Sequence, residues 1–132
     1  IEAYCSMQGA FKANEREIAD IRAILDKIKS HLISQKRRER AILNLKFHES
    51  LVLCSHNKLL IEIYKAQVKK VNWPKFFSLL KDPRPDVGYK EHMEIFDAFV
   101  RKDGEKVRQL VEKHRMVVLK IMIENFSKKS EA

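Results

Sequence analysis

Four residues of this chain carry side chains that could together bind a metal ion: Asn44, His48, His92 and His114. Asn44 and His48 are four residues apart, so on a helix their side chains lie on one face, a turn apart. Three histidines that leave a fourth position open are typical of zinc sites that also accept water or a ligand. The amide oxygen of Asn44 would be a weak fourth ligand. These residues predict one divalent cation per chain, zinc above all, with nickel or manganese as alternatives.

Each histidine taken alone has a simpler interpretation. His48 lies along the edge of an apolar stripe, and His92 and His114 lie within two others, where a single histidine is ordinarily a hydrogen-bonded core residue. Burying three imidazoles in one small core is costly unless they share a partner, and this cost favours the joint metal site. His31 lies off the apolar stripe of its own segment, and we expect it to be exposed.

The elements that must position these residues are predicted to be helices throughout. A chain of 132 residues forms one domain (1–132), and three glycines and three prolines leave little room for the turns of a sheet. Hydrophobic residues recur at intervals of three and four, which indicates amphipathic helices. The sequence therefore predicts an all-α fold, an antiparallel helical bundle of six to seven helices.

The helix boundaries follow from caps and breakers. Asn14 and Asn57 are suited to cap helices, whereas Trp73-Pro74 should end or kink one, with a short turn over residues 75–80. We expect helices over residues 1–13, 15–33, 35–54 and 57–73, from residue 86 to the Asp103-Gly104 break, and from there to about residue 126. The expected core comprises Ile18, Ile21, Leu25, Ile28, Leu32, Leu43, Phe47, Leu51, Cys54, Leu59, Leu60, Ile63, Tyr64, Gln67, Val68, Val71, Tyr89, Ile95, Phe96, Phe99, Val107, Leu110, Val111, Val117, Val118, Ile121 and Phe126.

Composition argues against several classes of protein. No stretch approaches the roughly 18 apolar residues of a membrane span, and no secretion leader is evident, so we expect no membrane association and a cytoplasmic location. Cys5 and Cys54 are far apart and form neither a disulfide framework nor a metal clip, and we expect ordinary thiols. Because the chain opens in the middle of a helical pattern, we expect it to be part of a longer protein.

The net charge of +9 is concentrated in the middle of the chain, where residues 36–81 carry eleven basic and three acidic groups. The basic runs at residues 36–40 and 65–70 could bind nucleic acid. No aromatic residues are interleaved with them and no DNA-reading motif is present, so solvated helix surfaces are the preferred interpretation. A basic helical nucleic-acid-binding module remains an alternative.

A metal-dependent hydrolase is the second alternative, because three histidines with an open position also suit the activation of water. That chemistry needs a general base beside the metal. Glu49 directly follows His48, and Glu91 directly precedes His92. Each glutamate therefore points about 100° away from its neighbouring histidine around the helix. No HExxH spacing occurs either. We therefore expect no enzymatic activity.

Several motifs together resemble a known family. Asn44-Leu-Lys-Phe-His48, Ser55-His-Asn57, Glu91-His92-Met-Glu-Ile95, Asp103 and His114 resemble the effector-binding domain of GntR-type bacterial transcription regulators, the FadR C-terminal (FCD) class. The resemblance implies an antiparallel bundle of six or seven helices. It also implies a divalent metal held by an Asp or Asn and three histidines, which are Asn44, His48, His92 and His114 in this sequence.

The resemblance further implies a regulatory function. Members of the family attach this domain to an N-terminal winged helix-turn-helix, bind a small carboxylate effector and alter DNA binding as a homodimer. The DNA-binding part is not in this sequence, and Asn44 stands where aspartate is commoner. Arg84 is a weak candidate for binding the effector's carboxylate. Three neutral imidazoles and a neutral Asn44 would leave the charge of a cation close to +2, which favours an anionic effector.

Overall fold

The computed structural model describes the backbone of residues 1–80 and 85–131 and the side chains of residues 1–70 and 85–124. Six α-helices and no strand occur in these ranges, which confirms the predicted all-α bundle. The helices are α1 Glu2–Lys12, α2 Glu15–Ile33, α3 Arg37–Leu53, α4 Lys58–Leu80, α5 Pro85–Val100 and α6 Gly104–Glu131. Arg84, the weak effector-binding candidate, lies outside the described residues, and so do the side chains of Val71 and Phe126.

Asn14 begins α2 through a reciprocal pair of hydrogen bonds. Its side-chain oxygen accepts from the backbone N–H of Glu17 at 2.8 Å, and the Glu17 carboxylate accepts from the backbone N–H of Asn14 at 3.0 Å. Burial raises the pKa of Glu17, but the hydrogen bonds from Asn14 and from His56 outweigh it and hold the pKa below its ordinary value. This stabilisation is present at neutral pH and is lost as the pH falls through that lowered pKa.

The fourth helix runs through Pro74. Of the two predicted effects of Trp73-Pro74, an end of the helix is wrong, because α4 continues to Leu80 and residues 75–80 form its last turns. A kink at this position stays a prediction. A proline removes one backbone hydrogen bond without removing those on either side of it, so the residues that follow can remain helical. Asn57 caps the start of α4, as predicted, and its side-chain oxygen accepts from the backbone N–H of Leu60 at 3.1 Å.

One hydrophobic core joins helices from both halves of the chain. Most residues of the stripes expected on α2, α3 and α5 are buried in it, and Phe47, Phe96 and Phe99 are fully enclosed. Four members of these stripes are only partly buried: Ile18, Leu32, Leu43 and Tyr89. The expected face of α4 was partly wrong, because Leu59 and Ile63 are exposed and only Tyr64 is buried, in a second small cluster. Because α4 is rich in leucine and isoleucine, the spacing of its apolar residues is compatible with more than one buried face.

Two polar residues depart from their expected exposure. His31, expected to be exposed, is half-buried on α2. Residues 36–39 are exposed, as expected for a solvated helix start, but Arg40 is only 5% exposed. Arg40 is therefore part of the folded interior of α3 and not of a basic surface.

The first helix lies at the centre of the packing, since α1 contacts α3, α4, α5 and α6. Gly9 allows α1 to approach the backbone of α3 closely: a Cβ there would lie 2.6 Å from the backbone oxygen of Leu51 and 3.0 Å from Cβ of Cys54. A Cβ on Gly88 of α5 would meet nothing within 4 Å. Alanine at these two positions should therefore change the free energy of unfolding in opposite directions.

We expect Gly9→Ala to destabilise the chain and Gly88→Ala to stabilise it. Both changes gain helix propensity, roughly 0.5–1 kcal/mol, but at Gly9 a displaced α3 should cost about 1–3 kcal/mol. Urea unfolding followed by circular dichroism measures both free energies. If Gly9→Ala were as stabilising as Gly88→Ala, the close contact between α1 and α3 would be contradicted.

Candidate metal centre

The fold brings the three predicted histidines to one buried place. His48 lies on α3, His92 on α5 and His114 on α6, and they are 3%, 3% and 7% exposed. The packing of α5 on α6, and of α1 on α3, α5 and α6, holds these elements together. Each histidine occupies a buried face of its helix, so the apolar stripes that bury the core also direct the imidazoles inward.

The three rings converge through their Nε2 atoms. His92 Nε2 lies 3.1 Å from His48 Nε2 and 3.2 Å from His114 Nε2, and one ligand atom from each ring lies within 4.8 Å of the others. Ligands about 2.0–2.1 Å from one zinc ion would be roughly 2.9–3.4 Å apart for angles between octahedral and tetrahedral. The two separations from His92 fall within that range, and the three atoms are close enough together to hold one divalent cation.

Aromatic packing fixes the orientation of the rings. The His48 and His114 rings are stacked with centroids 5.0 Å apart, and His92 meets each of them edge-on. Phe47 packs against His92 at 4.7 Å between centroids and against His48 at 5.4 Å. Because close packing leaves few alternative rotamers, the three nitrogens are held facing one another.

His48 and His114 are the two outer histidines of the cluster, since each faces His92 through Nε2. A carboxylate contacts each of these two rings at Nδ1. His48 Nδ1 lies 2.5 Å from Oε1 of Glu2, and His114 Nδ1 lies 2.7 Å from Oε2 of Glu91. The side chains of Glu2 and Glu91 are 13% and 27% exposed. No local pattern in the sequence points to Glu2, and Glu91 is adjacent in sequence to His92. Glu91 instead contacts His114, from a different helix.

Asn44 has an amide group suited to the same site. Its Oδ1 atom is buried and has no hydrogen-bond partner among the residues that the structure describes. A buried carbonyl oxygen without a partner is unfavourable, and a nearby cation would satisfy it. Asn44 lies one turn before His48 on α3, so the donor set of three imidazoles and one amide fits a divalent ion.

A cavity of about 460 Å³ opens beside the histidine cluster. His48, His114 and Glu2 form part of its wall, with Lys70 and Arg115 as basic residues. The other residues of the wall within the described part of the chain are Ile1, Tyr64, Gln67, Val68, Val111, Val118, Leu119 and Met122. Burial raises the pKa of the Tyr64 phenol, so this hydroxyl stays neutral and can donate a hydrogen bond.

The two cysteines lie apart from this chemistry. Both are buried and free, as predicted, and neither belongs to the metal-binding cluster found among the described residues. Burial raises the pKa of Cys54 to about 12 and raises that of Cys5 as well. Neither thiol is therefore a ready nucleophile at neutral pH.

The chain matches the model of one known protein family. The profile of the FCD domain matches residues 1–116. The chain belongs to the FCD domain family. FCD domains are ligand-sensing regulatory domains, not enzymes, and FCD domains are known to bind metals. Among curated proteins none matches this chain. In the described part of this FCD domain, no helix has the length and apolar character needed to cross a membrane.

Proposed function

We propose that this FCD domain is the sensor of a GntR-type bacterial transcription regulator, and that it binds one divalent cation and a small carboxylate effector. The observation that supports this most directly is the convergence of three buried Nε2 atoms beside an open cavity. DNA would be bound by a winged helix-turn-helix attached at the N-terminal side, in a cytoplasmic homodimer. The match to the FCD family supports a regulatory role of this kind.

His48, His92, His114 and Asn44 would hold the cation. Zinc suits the imidazole donors best, with nickel and manganese as alternatives. When bound, the cation would supply a positive charge next to the cavity to which a carboxylate is attracted. The chain's own residues would then orient the effector: Arg115 as a second cationic partner and the Tyr64 hydroxyl as a donor.

The charge of the site differs from the expectation based on sequence. The sequence analysis counted neutral ligands only and expected a charge near +2, but Glu2 and Glu91 lie against the outer rings and formally offset it. Attraction of an anion must therefore depend more on Arg115 and Lys70, both in the cavity wall. Arg115 is thus a proposed partner for the carboxylate, while Arg84 lies outside the described residues and stays a prediction.

The walls of the cavity favour an effector with an apolar part. Val68, Val111, Val118, Leu119 and Met122 line it and offer no hydrogen bonds from their side chains. A polyhydroxylated acid would leave several hydroxyl groups unpaired against these residues, whereas a carboxylate with a hydrocarbon portion would bury apolar surface.

The geometry of the carboxylates argues against the hydrolase alternative. A general base would have to face the Nε2 side of the cluster, where a substrate could bind. Glu91 contacts its ring at Nδ1, and Glu2, although it lines the cavity, also holds a carboxylate oxygen against Nδ1. Their position is that of groups that orient the histidines, which agrees with a regulatory and not an enzymatic role for FCD domains.

Metal analysis combined with native mass spectrometry of the purified chain tests the proposal. We expect one divalent ion per chain, and an additional small organic acid where the effector is retained during purification. Dialysis against a chelator should remove the metal and the organic acid together. A chain that holds no metal after incubation with zinc, nickel or manganese would contradict the proposed centre.

A further inference from the structure

Glu2 and Glu91 each place a carboxylate oxygen against Nδ1 of one outer histidine of the cluster, although they lie on different helices. Glu2 belongs to the first turn of α1 and reaches His48 of α3, whereas Glu91 belongs to α5 and reaches His114 of α6. In both contacts the carboxylate oxygen meets Nδ1, and in both rings Nε2 faces His92. Two long-range glutamate–histidine pairs converge on one cluster.

These contacts determine which ring nitrogen carries the proton. The Glu91–His114 contact is a hydrogen bond of 2.7 Å, and because an ionised carboxylate can only accept one, Nδ1 of His114 carries the proton. The Glu2–His48 contact, at 2.5 Å, is an ion-pair contact without hydrogen-bond geometry, and a proton on Nδ1 of His48 is the arrangement that keeps two lone pairs from facing each other at this distance. In a neutral imidazole the other nitrogen then has a free lone pair. His48 and His114 therefore both present Nε2 lone pairs to the centre of the cluster.

His92 alone cannot satisfy both lone pairs. Its Nε2 lies within hydrogen-bond distance of both outer Nε2 atoms, but a neutral imidazole nitrogen carries at most one proton. At least one of the two contacts would then set lone pair against lone pair. A cation at the centre removes this conflict because it accepts all three lone pairs. The carboxylates thus prepare the apoprotein for a cation.

We propose that Glu2 and Glu91 are positioning residues of the metal centre, which hold His48 and His114 in the Nδ1–H tautomer and offset the charge of the bound cation. The inference rests on the proposed function, since it concerns the same three histidines. Hydrogen bonds from metal-binding histidines to carboxylates raise the basicity of the ligand and fix its ring, and their loss typically costs about 10–100-fold in metal affinity.

Two substitutions at each position separate orientation from charge. Glu2→Gln and Glu91→Gln keep a side-chain oxygen that can accept from Nδ1–H, but they remove the negative charge. Glu2→Ala and Glu91→Ala remove both. Glu17→Gln is the matched control, since Glu17 contacts His56 at 2.9 Å in a glutamate–histidine pair outside the cluster. Glutamine can also preserve the cap that Glu17 makes with Asn14.

The test measures zinc affinity by competition with a chromophoric chelator, and ring tautomers by ¹⁵N NMR of the histidine-labelled apoprotein. We expect the alanine variants to lose about 10–100-fold in affinity, the glutamine variants to lose less, and Glu17→Gln to bind like the unmodified chain. The unmodified apoprotein should show His48 and His114 as Nδ1–H tautomers. The alanine variants should shift the affected ring toward a mixture.

The possible outcomes separate the existence of the metal centre from the positioning role of Glu2 and Glu91. If the unmodified chain binds no metal, the proposed function fails. If it binds zinc but Glu2→Ala and Glu91→Ala bind equally well, or His48 and His114 are not Nδ1–H tautomers, the positioning role is overturned while the metal centre stands. Circular dichroism of each variant checks folding, and the nearly isosteric glutamine variants provide the decisive comparison where an alanine variant unfolds.

Discussion

Replacing His92 or His114 by alanine is expected to lower the affinity for a divalent cation by roughly two orders of magnitude or more. Each imidazole supplies one of three nitrogens that lie 3.1–3.2 Å from the next, so removing one leaves two nitrogens and a weak amide oxygen. Loss of a direct ligand should exceed the roughly 10–100-fold cost of losing a group that merely orients a ligand. Isothermal titration with zinc, confirmed with nickel, measures the effect.

His31→Ala is the control for this experiment. His31 is half-buried on α2 and does not belong to the cluster of three histidines. It should therefore leave metal affinity unchanged. Equal losses in His31→Ala, His92→Ala and His114→Ala would refute the site, because they would indicate general unfolding or unspecific binding to histidine.

A small carboxylate is expected to raise the thermal midpoint of the metal-loaded chain and to do far less to the metal-free chain. Binding to the folded state stabilises it by RT ln(1 + [L]/Kd), about 2.7 kcal/mol at a hundredfold excess over Kd. For a domain of this size that corresponds to a shift of roughly 10 °C. The apolar walls lead us to expect larger shifts with octanoate or phenylacetate than with gluconate or citrate.

Variants of neighbouring residues on α6 make this prediction specific to the cavity. Arg115 lines the cavity, whereas Lys113 is exposed on the same helix and is not among the lining residues. Arg115→Gln should reduce the carboxylate-induced shift, and Lys113→Gln should not. His48→Ala should behave like the chelated chain. A panel of acids that stabilises neither form, or both forms equally, would leave the metal with a purely structural role.

A sensor requires that the binding of the cation and the binding of the carboxylate affect each other. A ligand can shift a conformational equilibrium only through contacts that differ between the two states. A carboxylate in the cavity would touch α4 and α6 together, through Lys70 and Arg115. Such contacts could draw these helices together, and by linkage the cation and the carboxylate would strengthen each other's binding.

Much of this architecture was predictable from local patterns. Asn14 and Asn57 cap helices because a short side chain can accept from backbone N–H groups close by in sequence. Recurring apolar residues identified the buried faces of α3 and α5, and the same faces carry His48 and His92 inward. The four candidate ligands were therefore visible as residue types on buried faces, before any contact between helices was known.

Contacts between distant segments were decided by the tertiary structure alone. Periodicity shows which face of a helix is buried but not which helix packs against it, so the convergence of His48, His92 and His114 required the fold. Glu2 carries no local signal, because its partner His48 lies on another helix. Glu91 was judged by its sequence neighbour His92, yet it contacts His114 on α6. The charge and the tautomers of the centre thus depend on which helices are neighbours in space.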